Sequence, residues 1–556
     1  MSVSGDIHLS DWISVRNIGL VVLFYILSAF ARRILRNYTL SGLSGPPAPS
    51  WLLGHGVQIQ ASPVGTLYNK WSEKYGPTYK LKGPFGTSVL AIGDPKGAGH
   101  ILTSSNYVRP TGDRIGLQLF VSPRLLFQNI SNVQQFGQEH KEQRAIISPA
   151  FRCSQVHSFD ICGAYDTGTV SSAAVREVSN VIFDLAHKLK TDMDDEINQD
   201  DSKVFEMFSR VPRLTLDAIS MTTFAYDVSH SDRPIPKLIS QIIDVPQTTL
   251  TFAVSAMTVL IPELLYIPNP MKRWTTMLRT EFQAIADTVW TQQERGIGMH
   301  SKLLDALHNS EKITGKPFNR DLAITLITGT IFAGYETAAN VIMECLFELA
   351  RQPQIQDKLR AELVAFTEHV GREPTYDDLM NGQHLTYLDA VIRETIRTKA
   401  MQMTLKRQAL EADTIPLQFP LPTGETHITV TSGQYIHIPI RDGINTDPRI
   451  WGADAAIFRP ERWLELGGLP EVVSSIRAPA HLMTFGDGAK ICAGRNFALA
   501  EIKIVISVLV RHLVFEPDGE EYVFYKTGGN TIKPKIRGRE GEGAQLHLRV
   551  RRYLVE

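Results

Sequence analysis

Cysteine is scarce: 556 residues carry four, Cys153, Cys162, Cys345 and Cys492. That number makes no disulfide framework for a chain of this size, and no CxxC pair suggests zinc, so a reducing compartment fits and each thiol is judged alone. An excess of charge of either sign is also missing. Lys plus Arg is 57 and Asp plus Glu is 58, a net charge of -1. No overall field draws the chain to nucleic acid, and electrostatic docking must use a local patch. There is no visible internal repeat and no glycine-rich fingerprint for a nicotinamide or flavin. With 43% hydrophobic and 21% charged residues, the composition is ordinary for a globular protein and excludes a disordered, collagenous or multi-spanning chain. At roughly 150 residues per domain the length alone suggests three or four domains.

A full-length apolar span is lacking too, but one short run begins the chain. Residues 18–31 (IGLVVLFYILSAFA) are uncharged; as a helix they reach roughly 21 Å, short of a hydrocarbon core of roughly 30 Å. Snorkelling of Arg16, Arg32 and Arg33 extends the run from Trp12 to Leu35. Asp6 and Asp11 precede it, Arg32, Arg33 and Arg36 follow, and no acid appears before Glu73. The positive-inside rule then leaves the bulk of the chain in the cytosol. We expect a membrane anchor over 1–36, the alternative being a cleaved signal peptide whose basic flank would be mostly on the wrong side. A proline-rich hinge over 37–50, with Gly45-Pro46-Pro47-Ala48-Pro49 as a stiff spacer or an ordinary linker, precedes the remaining 51–556.

That remainder reads as mainly helical with small sheets. Residues 78–82 and 88–92 flank a Gly-Pro-Phe-Gly turn and read as a hairpin. Asp94-Pro95 opens a short helix. Helical patterns dominate 174–365, as at 174–191, 275–296 and 319–350, and strand patterns return at 426–439 and 544–554. Residues 153–173 read as a surface loop or insertion. Residues 244–269 are unusually apolar, either a buried helix pair or a second membrane contact.

One thiol sits in an unusual setting: Phe485-Gly486-Asp487-Gly488-Ala489-Lys490-Ile491-Cys492-Ala493-Gly494, followed by a helical pattern from Asn496 to Phe515. Glycines let backbone approach a flat ligand and take up positive φ. Backbone N–H groups and a helix N-terminus favour a thiolate. A lone thiolate on a glycine-rich loop suits an axial ligand to haem iron. The segment resembles the haem-binding loop of the cytochrome P-450 superfamily, Phe-x-x-Gly-x-Arg-x-Cys-x-Gly: Phe485, Gly488, Cys492 and Gly494 match. Lys490 replaces the Arg that contacts a haem propionate, keeping charge but losing the bidentate fork.

Further motifs follow in family order. Glu394-Thr395-Ile396-Arg397 resembles the Glu-x-x-Arg motif, whose ends share a helix face. Phe458-Arg459-Pro460-Glu461-Arg462-Trp463 resembles the Pro-Glu-Arg-Phe element. The resemblance joins Glu394, Arg397 and Arg462 in a buried ion network around the thiolate loop. Ala333-Gly334-Tyr335-Glu336-Thr337 resembles the oxygen-activation motif of the central helix. There Ala333 and Gly334 make room for a macrocycle and dioxygen, Thr337 bonds back to the carbonyl four residues earlier, and Glu336 beside it helps pass protons. His140, Arg144 and Arg407 match propionate-binding positions. The implied fold is a single large helical domain of the cytochrome P-450 type behind one transmembrane helix. Residues 153–173 are extra by comparison, as an insertion or a gene-model error would make them.

What the resemblance implies is a haem-thiolate monooxygenase: haem b (iron protoporphyrin IX) bound through Cys492, O2 as co-substrate, and one oxygen atom inserted into a lipophilic small molecule. Electrons come from an NADPH-dependent reductase, with cytochrome b5 as a further candidate donor, docked on basic residues such as Lys141, Lys490 and Lys503. The pocket candidates are 107–130, 250–260, Ile331, Phe332 and 401–405, mostly apolar. The wording of the motifs resembles fungal secondary-metabolism members, which points to a terpenoid or sterol-like substrate, with fatty acids, alkanes and aromatic xenobiotics as alternatives. The expected location is the endoplasmic reticulum membrane, with the catalytic domain cytosolic, in contact with lipid and not with nucleic acid. The competing readings are a haem-thiolate isomerase or dehydratase, whose relatives usually lack the acid–Thr pair, and a non-catalytic haem- or sterol-binding membrane protein.

Overall fold

The computed structural model describes residues 38–110, 138–151, most of 173–228, positions 235 and 238, 270–295, most of 302–526, and 532–554. The anchor segment, residues 153–173 up to the helix starting at Ala173, and the apolar stretch 244–269 lie outside them. Among the described residues no helix is long and apolar enough to cross a membrane.

The elements that position the site are helices α1 (Leu67–Tyr75), α2 (Pro95–Thr103), α3 (Gln138–Phe151), α4 (Ala173–Ile197), α5 (Met207–Phe224), α6 (Pro270–Glu294), α7 (Arg320–Arg351), α8 (Pro353–Val370), α9 (Tyr376–Met380), α10 (Thr386–Thr398) and α11 (Arg495–His512). The strands are β1 (Thr78–Lys82), β2 (Ser88–Ile92), β3 (Tyr107–Val108), β4 (Lys203–Glu206), β5 (Thr404–Ala409), β6 (Asp413–Pro416), β7 (His427–Val430), β8 (Tyr435–Pro439), β9 (Leu513–Pro517), β10 (Tyr522–Lys526), β11 (Ile532–Ile536) and β12 (His547–Arg552).

The hairpin reading of 78–92 matches β1 and β2 residue for residue, with Thr78 opposite Ile92 and Lys82 opposite Ser88. Asp94 caps α2, its Oδ1 accepting from Gly97 N at 2.9 Å, with Pro95 at the first helical position. The run 426–439 is not one strand. Gly433, at φ 77°, breaks it into β7, paired with β6, and β8, which enters a five-stranded sheet in the order β1-β2-β8-β5-β3. That sheet is antiparallel except at β2–β8. Its β3–β5 pairing sets Val108 opposite Gln408, which brings Arg109 beside Arg407 across the fold.

The proline-rich stretch is not a free spacer over its whole length. Leu40 and Leu43 are buried, Lys80 N donates to Ser44 O at 3.0 Å, and a Cβ on Gly45 would stand 1.8 Å from Lys80 O. From Leu40 on, this segment is docked on β1 as part of the globular body.

α7 is the spine. Residues 338–350 are buried without a break, because α5, α6, α8, α10, α11 and β9 surround the helix. A helix buried all round must neutralise its acids. Glu344 makes a two-pronged pair with Arg441 at 2.7 and 2.6 Å, and Glu348 meets Lys399 at 2.6 Å.

α11 carries the opposite case. Glu501 is fully buried and neither carboxylate oxygen has a hydrogen-bond partner among the described residues. Burial pushes its carboxyl well above the ordinary range, so the folded chain holds it protonated. The unfolded chain ionises this group at ordinary acidic pH, so it favours unfolding progressively as pH rises from there toward the folded value. Glu501→Gln should therefore raise the melting temperature relative to the parent, with the gap widening from pH 5 to pH 8 by at most about 1.4 kcal/mol per pH unit. A gap independent of pH would show that Glu501 is not held neutral.

Candidate active site: a thiol on a glycine-pinned loop

The thiol loop is built from two tight turns. Gly486 and Gly488 both adopt positive φ, 73° and 66°. At Gly488 a side chain is also excluded by packing, because a Cβ would lie 2.4 Å from Leu102 O at the end of α2. Asp487 Oδ1 accepts from Gly488 N at 2.7 Å, and Cys492 N donates to Phe485 O at 2.9 Å, closing the loop on itself. Gly494 is the N-cap of α11, two residues beyond the thiol. Protein encloses the Cys492 thiol and burial pushes it up, while the Gly494 N–H, Arg144 and Arg495 favour the thiolate. The residue nevertheless keeps accessible surface, whereas Cys345 is sealed in the core and pushed up to about 12.

A buried ion network holds this loop from behind. Glu394 accepts from Arg397 Nε and Nη2 at 2.8 and 2.7 Å, from Arg462 Nε at 3.0 Å, from Trp463 Nε1 at 3.0 Å and from Arg459 N at 2.9 Å. The side chains of Glu394, Arg397 and Arg462 have no exposed surface. Arg397 donates to Asn445 O and Ala455 O, both at 2.7 Å. Asn445 Nδ2 donates to Thr484 Oγ1 at 2.9 Å, and Thr484 Oγ1 donates to Ile396 O at 2.6 Å. Thr484 precedes Phe485, whose carbonyl takes the Cys492 N–H. Asn445 and Thr484 were not singled out from sequence; they work through backbone carbonyls and a contact across the chain that no motif spacing reports.

Lys490 of the loop and Arg144 stand near His140. His140 is buried, and burial with the charges of Lys490 and Arg144 pushes it down to about 4, so it is a neutral imidazole at pH 7. Arg407 is buried too. It donates to Lys406 O at 2.9 Å, no ion pair to it is present among the described residues, and burial with neighbouring Arg109 pushes it down to about 10. Two guanidiniums side by side in a low-dielectric setting suit an anionic guest. Arg109 falls in the pocket candidates 107–130, but its place beside Arg407 was not foreseen; the only signal for that is the β3–β5 register across 300 residues.

The third part is a stripe on α7. Ala333 and Thr337, one turn apart, are exposed on a helix whose Ile331, Tyr335, Glu336 and Ala338 are buried. Thr337 Oγ1 donates to Ala333 O at 2.8 Å, the back-bond anticipated from the motif. Gly334 takes no Cβ, since one would stand 2.7 Å from Ile219 Cγ1 on α5. Glu336 does not share the Thr337 face. Consecutive helix residues point about 100° apart, and Glu336 is buried with Lys533 Nζ of β11 at 3.6 Å from its Oε1.

A match to the cytochrome P-450 family profile covers residues 44–535. The chain belongs to the cytochrome P-450 family. Curated relatives include the cytochrome P-450 monooxygenases claO and claQ of Ampulloclitocybe clavipes, each 30% identical over 96% of this chain and 97% of theirs. Cytochrome P-450 monooxygenase 205 of Postia placenta is 29% identical over 92% of this chain and 93% of its own. This cytochrome P-450 is thus an oxidoreductase that uses haem with an axial cysteine thiolate, O2, a small-molecule substrate and a redox partner.

The residues present fit haem b. A thiol with the Gly494 N–H, Arg144 and Arg495 beside it suits iron, whose own charge favours the thiolate, the small exposed Ala333–Thr337 stripe suits a flat ring, and Arg407 with Arg109, and His140, Arg144 and Lys490, suit its two propionates. Some expectations need correcting. Lys503 cannot dock a reductase: it is buried, with Nζ 2.7 Å from Asp389 Oδ1 and 2.9 Å from Leu379 O. Lys141 is exposed and Lys490 half-buried. Ile331, Met401 and Met403 are packed in the core, while Phe332 and Leu405 keep accessible surface. Of the other pocket candidates, 111–130 and 250–260 lie outside the described residues.

Glu394→Ala would leave Arg397 and Arg462 buried without their carboxylate, a loss of about 3–5 kcal/mol. The expected result is a denaturation midpoint lowered accordingly and protein purified with sub-stoichiometric haem, read by absorbance per polypeptide. Full haem content and an unchanged midpoint would remove the network from its supporting role.

Proposed function

We propose that Cys492 is the axial ligand and that the protein inserts one oxygen atom of O2 into a C–H bond of a lipophilic terpenoid or sterol-like molecule. The observation that carries this reading is the loop itself: Gly488 pinned against α2, and the Cys492 N–H held by Phe485 O on a buried ion network. Haem, when bound, supplies the one-electron and oxygen chemistry. The chain's residues do the rest. The Gly494 N–H and the guanidiniums of Arg144 and Arg495 offset part of the burial that raises the thiol, and so ease negative charge on sulfur. Arg109, Arg144, Arg407, His140 and Lys490 orient the cofactor through its propionates. Thr337, its hydrogen given to Ala333 O, presents oxygen lone pairs to the accessible side, where they accept a hydrogen bond and so hold a proton-bearing water in place. Glu336, next to Thr337 in sequence but turned off its face, receives protons from the buried side of the helix, beside Lys533.

The balance of the reaction needs two electrons and two protons from outside: one oxygen atom goes to the substrate and the other leaves as water. The electrons come from an NADPH-dependent flavoprotein reductase, with cytochrome b5 as a further candidate donor, and exposed Lys141 belongs to the basic patch that meets it. Residues 1–36 anchor the enzyme in the endoplasmic reticulum membrane with its catalytic body in the cytosol, where a lipophilic substrate and the reductase are both at hand. The apolar Phe332 and Leu405 support a lipophilic guest.

With reductase, NADPH and a terpenoid library read by mass spectrometry, the expected product is a substrate plus one oxygen atom. Products from fatty acids alone would overturn the substrate class. A rearranged peroxide formed without reductase would instead favour the isomerase. For Thr337→Ala we expect NADPH consumption to continue while product per NADPH falls about tenfold or more and hydrogen peroxide rises. Full coupling in that variant would refute the role of Thr337.

A further inference from the structure

Three backbone carbonyls in the short Ala333–Glu336 segment carry side-chain hydrogen bonds. Ala333 O accepts from Thr337 Oγ1 at 2.8 Å, and Glu336 O accepts from Asn340 Nδ2 at 2.8 Å, both from within α7. The third bond arrives from another helix. Thr215 Oγ1, on α5, lies 2.8 Å from Tyr335 O, closer than Val211 O at 3.3 Å or Pro212 O at 3.2 Å on its own helix. A hydroxyl has one hydrogen, and it goes to the nearest acceptor. Thr215 has no exposed surface, so no solvent competes for that hydrogen.

The same face of α5 grips the segment a second time. Ile219 is one turn beyond Thr215, and its Cγ1 and Cδ1 come so near Gly334 that a Cβ there would stand 2.7 and 2.8 Å away. α5 itself contains Pro212, which removes a backbone donor and frees the carbonyl of Phe208, two turns ahead of Thr215. In an α-helix the carbonyl of residue 335 also accepts from the N–H of residue 339. A hydroxyl inserted beside that bond draws the carbonyl outward and loosens the ladder. Thr337 stands midway between 335 and 339, so the shape of this turn decides where its hydroxyl sits.

We infer that Thr215 is a positioning residue for the proton-delivering turn of α7, acting from the side away from the substrate through the Tyr335 carbonyl. The inference rests on the reading of Thr337 given above. Its role is to share the Tyr335 carbonyl with the helix so that the Thr337 hydroxyl is held at the accessible face.

The test uses the haem-loaded enzyme and two readings. One is hydrogen peroxide released per NADPH with reductase and substrate. The other is amide hydrogen exchange over peptides spanning 331–341. In Thr215→Val the carbonyl returns to its intrahelical partner, so exchange should slow by roughly fivefold, the weight of one net hydrogen bond. The peroxide fraction should rise severalfold, and Thr215→Ser should restore both. Thr215→Ala carries the same expectation should the valine variant fail to load haem. Faster exchange in the valine or alanine variant would mean that Thr215 only braces the helix pair, and would overturn the inference. So would normal coupling, provided that Thr337→Ala uncouples. If Thr337→Ala is itself fully coupled, the reading of Thr337 has failed, and slowed exchange in the Thr215 variants still separates the two claims.

Discussion

The Glu394 carboxylate is the point on which the rest of the molecule depends. It sits on α10 with no exposed surface and gathers two guanidiniums, an indole N–H and a backbone N–H. Desolvating these charges contributes little net stability, but losing one partner is severe, because the others stay buried and unpaired. Such a network therefore fixes geometry more than it adds free energy. Here the fixed geometry runs outward from Arg397 through Asn445 to Thr484, and from there to the turn whose carbonyl closes on the Cys492 N–H. The thiol loop owes its shape to glycine turns in front and to this network behind.

A second ordering principle lies along α7. Glu336, Asn340, Glu344 and Glu348 recur every fourth residue, which puts them on one face of a helix otherwise packed in apolar core. Each is answered by a different part of the chain: Lys533 of β11, the helix's own Glu336 carbonyl, Arg441 after β8, and Lys399 after α10. The spine is thus keyed to its surroundings by polar contacts that tolerate no slip in register. On a separate face Ala333 and Thr337 are left small and accessible. One helix serves both as structural axis and as bearer of the small accessible stripe.

Much of this was legible in the sequence where the determinants are local. The β1–β2 hairpin, the Asp94 cap and the back-bond of Thr337 each depend on residues within a few positions. The Glu394–Arg397 pair follows from helix geometry, and family order made it specific. Contacts set by tertiary packing were not legible. Arg109 meets Arg407 only because β3 pairs with β5. Glu336 finds Lys533 from the far end of the chain. Lys503 read as part of a reductase-docking face, yet α11 is covered on that side and Asp389 takes its ammonium. The run 426–439 read as one strand because its alternation is nearly continuous, and a single glycine divides it between two sheets.

The central claim is that Cys492, held on this loop, ligates haem as a thiolate. The carbon monoxide difference spectrum of the dithionite-reduced protein tests it most directly, for the parent and for Cys492→Ala. The parent should show the red-shifted Soret band of a thiolate-ligated ferrous carbon monoxide complex, and the variant should lack it. The same band in both would contradict the assignment of Cys492, and its absence from a haem-loaded parent would contradict the account as a whole.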